Sequence, residues 1–278
     1  MKYGTRNKVR QILIKVILVV VSILILSPFY VAICYAFKSR TEFAKTKLAF
    51  PTSLYLQNFL EAVKVPHYFT AFKNSVIVAV LMVSIIIIVS STGAYIITRK
   101  KNKFYSMFYY IFQLVILIPF QTLMFPLYKE LNSIHALNTL WGLVLAQVGM
   151  NVGYVVFLYA GFIKGIPISL EEAARLDGCN KYQVFFKIVF PLLKPINMTV
   201  FVLSFFNSWN DFAISMIICQ KQEMRTIPMM QYAFFGEYSS NVSVAFAGAL
   251  LAMIPTVVVY FIAQKYIVAG MTAGAVKN

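Results

Sequence analysis

Acidic side chains are scarce in this sequence: nine Asp and Glu stand against 25 Lys and Arg in 278 residues, and charged residues make up only 12%. A soluble domain carries about a quarter charged residues, so an ordinary water-facing surface is excluded. Histidine is limited to His67 and His135, both in polar stretches, and cysteine to Cys34, Cys179 and Cys219, scattered and odd in number. Neither set supports a disulfide framework, a thiol nucleophile or a metal site. No G-x-x-x-x-G-K-[ST] segment occurs, so a phosphate-cradling ATPase loop is excluded too. A membrane enzyme would need Asp, His, Glu or Cys gathered toward one compartment, and none are so gathered.

What is abundant is apolar: 60% of residues are hydrophobic and the mean hydropathy is +0.76. A membrane helix needs about 20 predominantly apolar residues. Six runs qualify: Val16–Ala36, Asn74–Thr98, Phe104–Tyr128, Ala136–Ile163, Pro195–Gln220 and Tyr238–Gln264. The fold class expected is therefore all-α, a polytopic membrane protein with six transmembrane helices in a single domain over residues 1–278. The first run exceeds a signal-peptide h-region and lacks a small-residue cleavage pattern, so it reads as a retained anchor. Pro119, Pro126 and Pro255 are expected to kink their spans, with Gln121 a candidate to satisfy a freed carbonyl.

The net charge of +16 does not point to nucleic acid, because the basic residues sit in loops between apolar runs. They point to orientation. One side of the membrane (residues 1–15, 99–103, 164–194 and 265–278) collects 16 Lys and Arg in 65 positions, against 9 in 61 for the other. The richer side is cytoplasmic by the positive-inside rule, with both termini inside.

The cytoplasmic segment 164–194 is the longest polar interruption. Ser169 with Glu172 reads as a capping box opening a helix, and Asn180 with Gln183 as a second. Leu170, Ala173 and Ala174 fall on one helical face, Glu171 and Arg175 form an i,i+4 pair, and Gly178 suits a left-handed turn. Small alanines on the apolar side allow another surface to approach closely, so the segment reads as a docking element.

Glu172-Ala173-Ala174, then Gly178, Ile188 and Phe190-Pro191, resembles the EAA loop of permease subunits in binding-protein-dependent ABC importers, with Phe190 where Leu is usual. Asn74-Ser75, Ile118-Pro119, Pro126-Leu127-Tyr128, Trp209-Asn210-Asp211-Phe212 and the ending Gly270–Lys277 resemble, in the same order, the second permease subunit of maltose-type carbohydrate transporters. The resemblance implies a type I importer permease fold in the prokaryotic plasma (inner) membrane. It implies that this chain forms half of a translocation pore for a sugar or oligosaccharide. The partners implied are a second permease subunit, two cytoplasmic ATPase subunits and an extracytoplasmic solute-binding protein. Cofactors are expected to be absent from this chain, ATP and Mg being bound by the partner ATPase. The coupling residues implied are Glu172, Ala173, Ala174, Gly178, Ile188 and Pro191. The tail residues Gly270, Thr272, Gly274 and Lys277, which alone read as disordered, are implied at the ATPase interface. Gln222, Glu223, Arg225 and Tyr238 are implied contacts of the binding protein; the residues alone read equally as a connector.

Within the spans, Asp211 is the lone mid-membrane charge, and Ser204, Ser208, Asp211 and Ser215 recur at i, i+4, i+7 and i+11 with Asn207 and Asn210 beside them. A carboxylate in lipid is costly, so this stripe is expected to face a wet path or a partner. Close helix packing is the other reading of the serines. Gln147, Asn151 and Tyr154 form a second stripe in the fourth span, suited to sugar hydroxyls or to interhelical hydrogen bonds, and Trp209 offers a face for a sugar ring. The competing function class is an ion-coupled secondary transporter. Such proteins carry several midplane ionisable residues and internal repeats, neither of which is seen here.

Overall fold

The computed structural model describes the backbone of residues 2–100, 102–236 and 241–275, and the side chains of 10–100, 102–234 and 241–264. Every regular element among the described residues is a helix. The chain divides into two compact units, Met1–Pro66 with Gln231–Met253, and His67–Met230 with Ile254–Asn278.

The first unit begins with α1 (Lys2–Ala36). Its apolar side chains from Ile12 to Tyr30 stand exposed, with Leu24 at 65%. A soluble protein does not leave so long an apolar surface uncovered, whereas lipid is its natural solvent. Two short helices follow, α2 (Arg40–Lys45) and α3 (Gln57–Lys64). Lys38, counted above as a loop charge, is fully buried, and its Nζ donates to the carbonyls of Thr46 (2.6 Å) and Lys47 (3.1 Å). Asn58 Nδ2 donates to the carbonyls of Ala36 and Lys38, both at 2.8 Å. Two buried donors thus fold the connection back on the end of α1.

The second unit is built on α4 (Tyr68–Arg99), α5 (Lys103–Ile116), α6 (Phe120–Ser133) and α7 (Leu140–Ile163). Met82, Ile86, Leu143, Tyr159 and Ile163 form its fully buried centre. A Cβ on Gly153 would sit 2.6 Å from the Phe112 carbonyl oxygen, so α5 and α7 approach at a distance only glycine permits.

Segment 164–194 forms α8 (Ser169–Leu176), α9 (Lys181–Gln183), a π-helical turn over Val184–Val189, and α10 (Phe190–Leu192). Then come α11 (Lys194–Trp209), α12 (Ala213–Ile218), a 3₁₀ turn at Gln222–Met224, α13 (Ile227–Gly236) and α14 (Val242–Ala275).

Four helices are long and apolar enough to cross a bilayer alone, Arg10–Ala36, Tyr68–Arg99, Leu140–Ile163 and Val242–Gln264. Two bent pairs raise the number to six: Lys103–Ile116 with Phe120–Ser133 at 109°, and Lys181–Leu192 with Lys194–Trp209 at 75°.

The third expected span is therefore not a straight helix, and the fifth, which lies beyond the 75° bend, is not one either. The third breaks at Leu117–Pro119, where Pro119 takes an extended conformation, lacks an N–H, and starts α6 rather than kinking a continuous helix. The fifth breaks at Asn210–Phe212. Pro126 and Pro255 stay inside unbroken helices. The fourth span begins at Leu140 rather than Ala136, because His135 and Asn138 adopt positive φ in the preceding turn. The expected connector Lys221–Glu237 contains α13, whose Ile227, Met230, Ala233 and Phe234 are buried. The last helix continues to Ala275, so Gly270, Thr272 and Gly274 are helical in backbone rather than irregular. Lys277 and Tyr238 lie outside the described residues.

Candidate functional site

Segment 164–194, expected to dock a partner, forms a helix, a turn and a second helix. The expected capping box at Ser169 is absent: Ile168 is already helical, and the amides of Glu171 (2.9 Å) and Glu172 (3.1 Å) donate to the Ile168 carbonyl. The preceding turn satisfies the orphan donors, so no hydroxyl is required. The second box is present. Asn180 Oδ1 accepts from Tyr182 N (3.0 Å) and Gln183 N (2.9 Å), and Gln183 Oε1 accepts from Asn180 N (2.9 Å). Gly178, at φ +85°, makes the left-handed turn between the two helices.

The helical face divides differently from the expected pattern. Ala174 is buried while Leu170, Glu172, Ala173 and Leu176 are exposed, Leu176 at 89%. Ile188 is half-buried and Pro191 exposed. Glu171 is 1% exposed, and Arg175 is its minor partner at 3.6 Å. The close partners come from the end of α4. Arg99 Nε donates to Glu171 Oε1 at 2.7 Å and Tyr95 Oη to Oε2 at 2.7 Å, while Arg99 Nη2 donates to the Ile166 carbonyl at 2.8 Å. One carboxylate thus fixes α8 to the second span. Arg99 read only as one of a run of loop charges, and no local spacing links it to a residue 72 positions away.

The two polar stripes meet. Ser208 Oγ donates to Gln147 Oε1 (2.6 Å), Gln147 Nε2 donates to Asp211 Oδ2 (3.2 Å), Asn151 Nδ2 donates to the Gln147 carbonyl (2.8 Å), and Asn207 Nδ2 donates to Asn151 Oδ1 (2.5 Å). A hydrogen-bond ladder therefore joins α7 to α11.

Asp211 lies in the break after α11 and caps the next helix. Its oxygens accept from Ile214 N (3.1 Å), Ser215 N (2.9 Å) and Ser215 Oγ (2.8 Å) as well as from Gln147. These donors offset the cost of the carboxylate from within the chain. Ser204, Ser208 and Ser215 are buried, while Asn207, Asn210 and Tyr154 are exposed. Trp209 is buried, stacked on Phe205 and meeting Phe72 edge-on, both at 5.7 Å between ring centres.

At the other end of α4, Asn74 Nδ2 donates to the carbonyls of Glu223 (2.8 Å) and Arg225 (3.0 Å), and Ser75 Oγ accepts from Ile227 N (2.9 Å). The Asn74-Ser75 pair, visible in the sequence only as a pattern, is a clamp on the 222–227 turn. Among the described residues no group of three or more His, Cys, Asp or Glu could hold a metal ion.

Residues 90–273 match the family model described as binding-protein-dependent transport system inner membrane component. A probable starch degradation products transport system permease protein of Thermoanaerobacterium thermosulfurigenes is 39% identical over 270 residues, covering 97% of this chain and 98% of that one. A multiple sugar-binding transport system permease protein of Streptococcus mutans is 35% identical, covering 94% and 95%. A melibiose/raffinose/stachyose import permease protein of Bacillus subtilis is 34% identical, covering 90% and 91%. In fold, the chain is similar to a chain of a bacterial ABC transporter that imports the acidic polysaccharide alginate, with a TM-score of 0.72, 15% identity, and 94% and 96% coverage. Helices of membrane-spanning length and a family match across about two thirds of the sequence agree, and the chain belongs to the inner-membrane permease components of binding-protein-dependent ABC transport systems.

Proposed function

We propose that this chain forms one half of the translocation pore for a sugar or oligosaccharide, paired with a second permease subunit, supplied by an extracytoplasmic binding protein and driven by two separate ATPase subunits that bind ATP and Mg. The reading takes residues 1–278 as one transmembrane domain with both termini cytoplasmic. The observation that carries it is the docking helix: it exposes Leu170, Glu172, Ala173 and Leu176 while the neighbouring Glu171 is held by Arg99 and Tyr95. A short helix anchored on one side and bare on the other suits a cleft in a partner that closes with nucleotide, and its movement would reach α4 through the ion pair. Ile188, Pro191 and Gly178 shape the turn that presents it. The tail Gly270–Lys277 is assigned to the same ATPase interface, and Gln222, Glu223, Arg225 and Tyr238 to the binding protein.

The substrate class rests on the relatives, which are described as permeases for starch degradation products, multiple sugars and melibiose, raffinose and stachyose. The exposed amides of Asn207 and Asn210 and the Tyr154 hydroxyl suit neutral hydroxyls, with Gln147, Asn151, Ser204, Ser208, Trp209 and Asp211 supporting that face from behind. An ion-coupled mechanism would need a carboxylate free to take up a proton or cation, and Asp211 is committed to four donors.

The test is uptake by the complete transporter carrying Glu172→Lys. Labelled oligosaccharide uptake should fall at least tenfold while the complex still assembles and hydrolyses ATP. Unchanged uptake by a normally assembled variant rules out the docking role.

A further inference from the structure

The ends of α4 and α7 and the start of α5 border a feature that the roles proposed above leave unassigned. Lys100 follows α4, Lys103 opens α5 and Lys164 follows α7. Together with Thr98, Ser106, Met107, Tyr109, Ile111 and Leu114 they line a cavity of about 960 Å³. No carboxylate lines it, and among the described residues none of the three lysines lies within ion-pair distance of an Asp or Glu. Lys100 Nζ sits 5.0 Å from the Tyr105 ring centre and 3.0 Å from its hydroxyl oxygen, and Lys164 Nζ sits 5.0 Å from the ring centre of Tyr109. Neither contact neutralises the charge. The buried hydroxyl of Thr98 has no hydrogen-bond partner, although a helical threonine readily bonds the preceding turn, as Thr92 does with Ile88.

The wall is graded. Cations and hydroxyls cluster where the helices end, and the lining passes through Met107 and Ile111 to Leu114, about 16 Å along α5 at the ordinary helical rise. Such a gradient matches a molecule with an anionic head and apolar chains lying parallel to the spans. A soluble anion would have no use for the apolar wall, and a protein surface would bring a carboxylate for the lysines rather than a chain for Ile111 and Leu114.

We propose that this cavity is a binding site for an anionic phospholipid of the bilayer. The phosphate sits among Lys100, Lys103 and Lys164, the Ser106 hydroxyl donates to the headgroup, and an acyl chain follows Ile111 and Leu114. Basic pockets between spans at the membrane surface favour such headgroups, by about fivefold per lysine.

The test uses the assembled transporter in nanodiscs of phosphatidylcholine doped with phosphatidylglycerol, and native mass spectrometry reads the phosphatidylglycerol retained after extraction. K100Q/K103Q/K164Q should lower retention roughly 100-fold at equal assembly, from three such steps. Ser106→Trp, which keeps every charge and fills the cavity, should abolish the same retained lipid, so the outcome does not depend on the triple variant folding. Inorganic phosphate and soluble glycerol phosphate at matched concentration should not displace the lipid; displacement by either overturns the proposal in favour of a free-anion site. A photoreactive side chain at position 106 should capture lipid, and capture of a neighbouring subunit instead identifies a protein interface and also overturns it. Unchanged retention in the triple variant or in Ser106→Trp does the same.

Discussion

Replacing Arg99 by alanine removes the 2.7 Å bond to Glu171 and the 2.8 Å bond to the Ile166 carbonyl in one step. Glu171 is then left at 1% exposure with Tyr95 and, at 3.6 Å, an Arg175 whose side chain is 54% exposed and contributes little. Breaking a buried pair from one side costs about 3–5 kcal/mol. At 1.4 kcal/mol per decade, that is about two to three and a half decades in the equilibrium holding α8 to α4. Amide hydrogen exchange over Ser169–Leu176 in the assembled complex should accelerate by at least a hundredfold, and sugar moved per ATP hydrolysed should fall with it. The double variant Arg99→Leu/Glu171→Leu separates the two effects. Matched apolar residues cost far less than a broken pair, so packing should recover while the polar link, and with it coupling, does not. Unchanged exchange protection in Arg99→Ala would refute the assignment of this pair as the tie between α8 and α4.

Gly153→Ala should destabilise the subunit by about 1–3 kcal/mol through overpacking, because its Cβ meets the Phe112 carbonyl at 2.6 Å, whereas Gly161→Ala enters open space and should leave thermal stability unchanged or slightly raised. Asn74→Ala frees the carbonyls of Glu223 and Arg225; the apparent affinity for the binding protein should weaken several-fold, measured by ATPase stimulation, with basal hydrolysis intact. The amide and hydroxyl of Thr52 hold the Glu42 carboxyl below its ordinary value. A depressed folded value means its contribution is complete above the unfolded value and is lost as pH falls through the folded one. Protease sensitivity of segment 40–52 should therefore rise on acidification below the usual glutamate range, and Glu42→Gln should flatten that dependence.

What the sequence disclosed was local. Apolar runs long enough for lipid, the Asn180–Gln183 cap and the left-handed Gly178 each depend on a few consecutive residues and on rules that tertiary context seldom overrides. The break at Leu117–Pro119 lies in a stretch that remains apolar, so hydropathy passes through it and only Pro119 hinted at it; the break at Asn210–Phe212 falls on the polar Asn210-Asp211 pair, which fitted a stripe on a continuous helix equally well. The Ser169 box satisfied its pattern and still failed, because the chain entered from Ile168 already wound. Arg99 with Glu171, Asn74 with the 222–227 turn and Lys38 with two carbonyls join positions whose partners only the fold selects. The two polar stripes were legible singly, and their union into one ladder was not.

The π-helical turn over Val184–Val189 has a geometric consequence for the spans beyond it. Its wider winding, seen in the Phe190 amide bonding back to the Phe185 carbonyl, accommodates one residue more than an α-helical turn would. Loss of one residue there can be absorbed by a return to α-helical winding, which leaves the phase of the helix beyond it nearly unchanged. A deletion inside the α-helical stretch of α11 has no such reserve and turns the residues after it by about 100°. The edge of α11 that carries Asn207 and Asn210 is therefore buffered against a change of length at Val184–Val189 and sensitive to one within Lys194–Trp209.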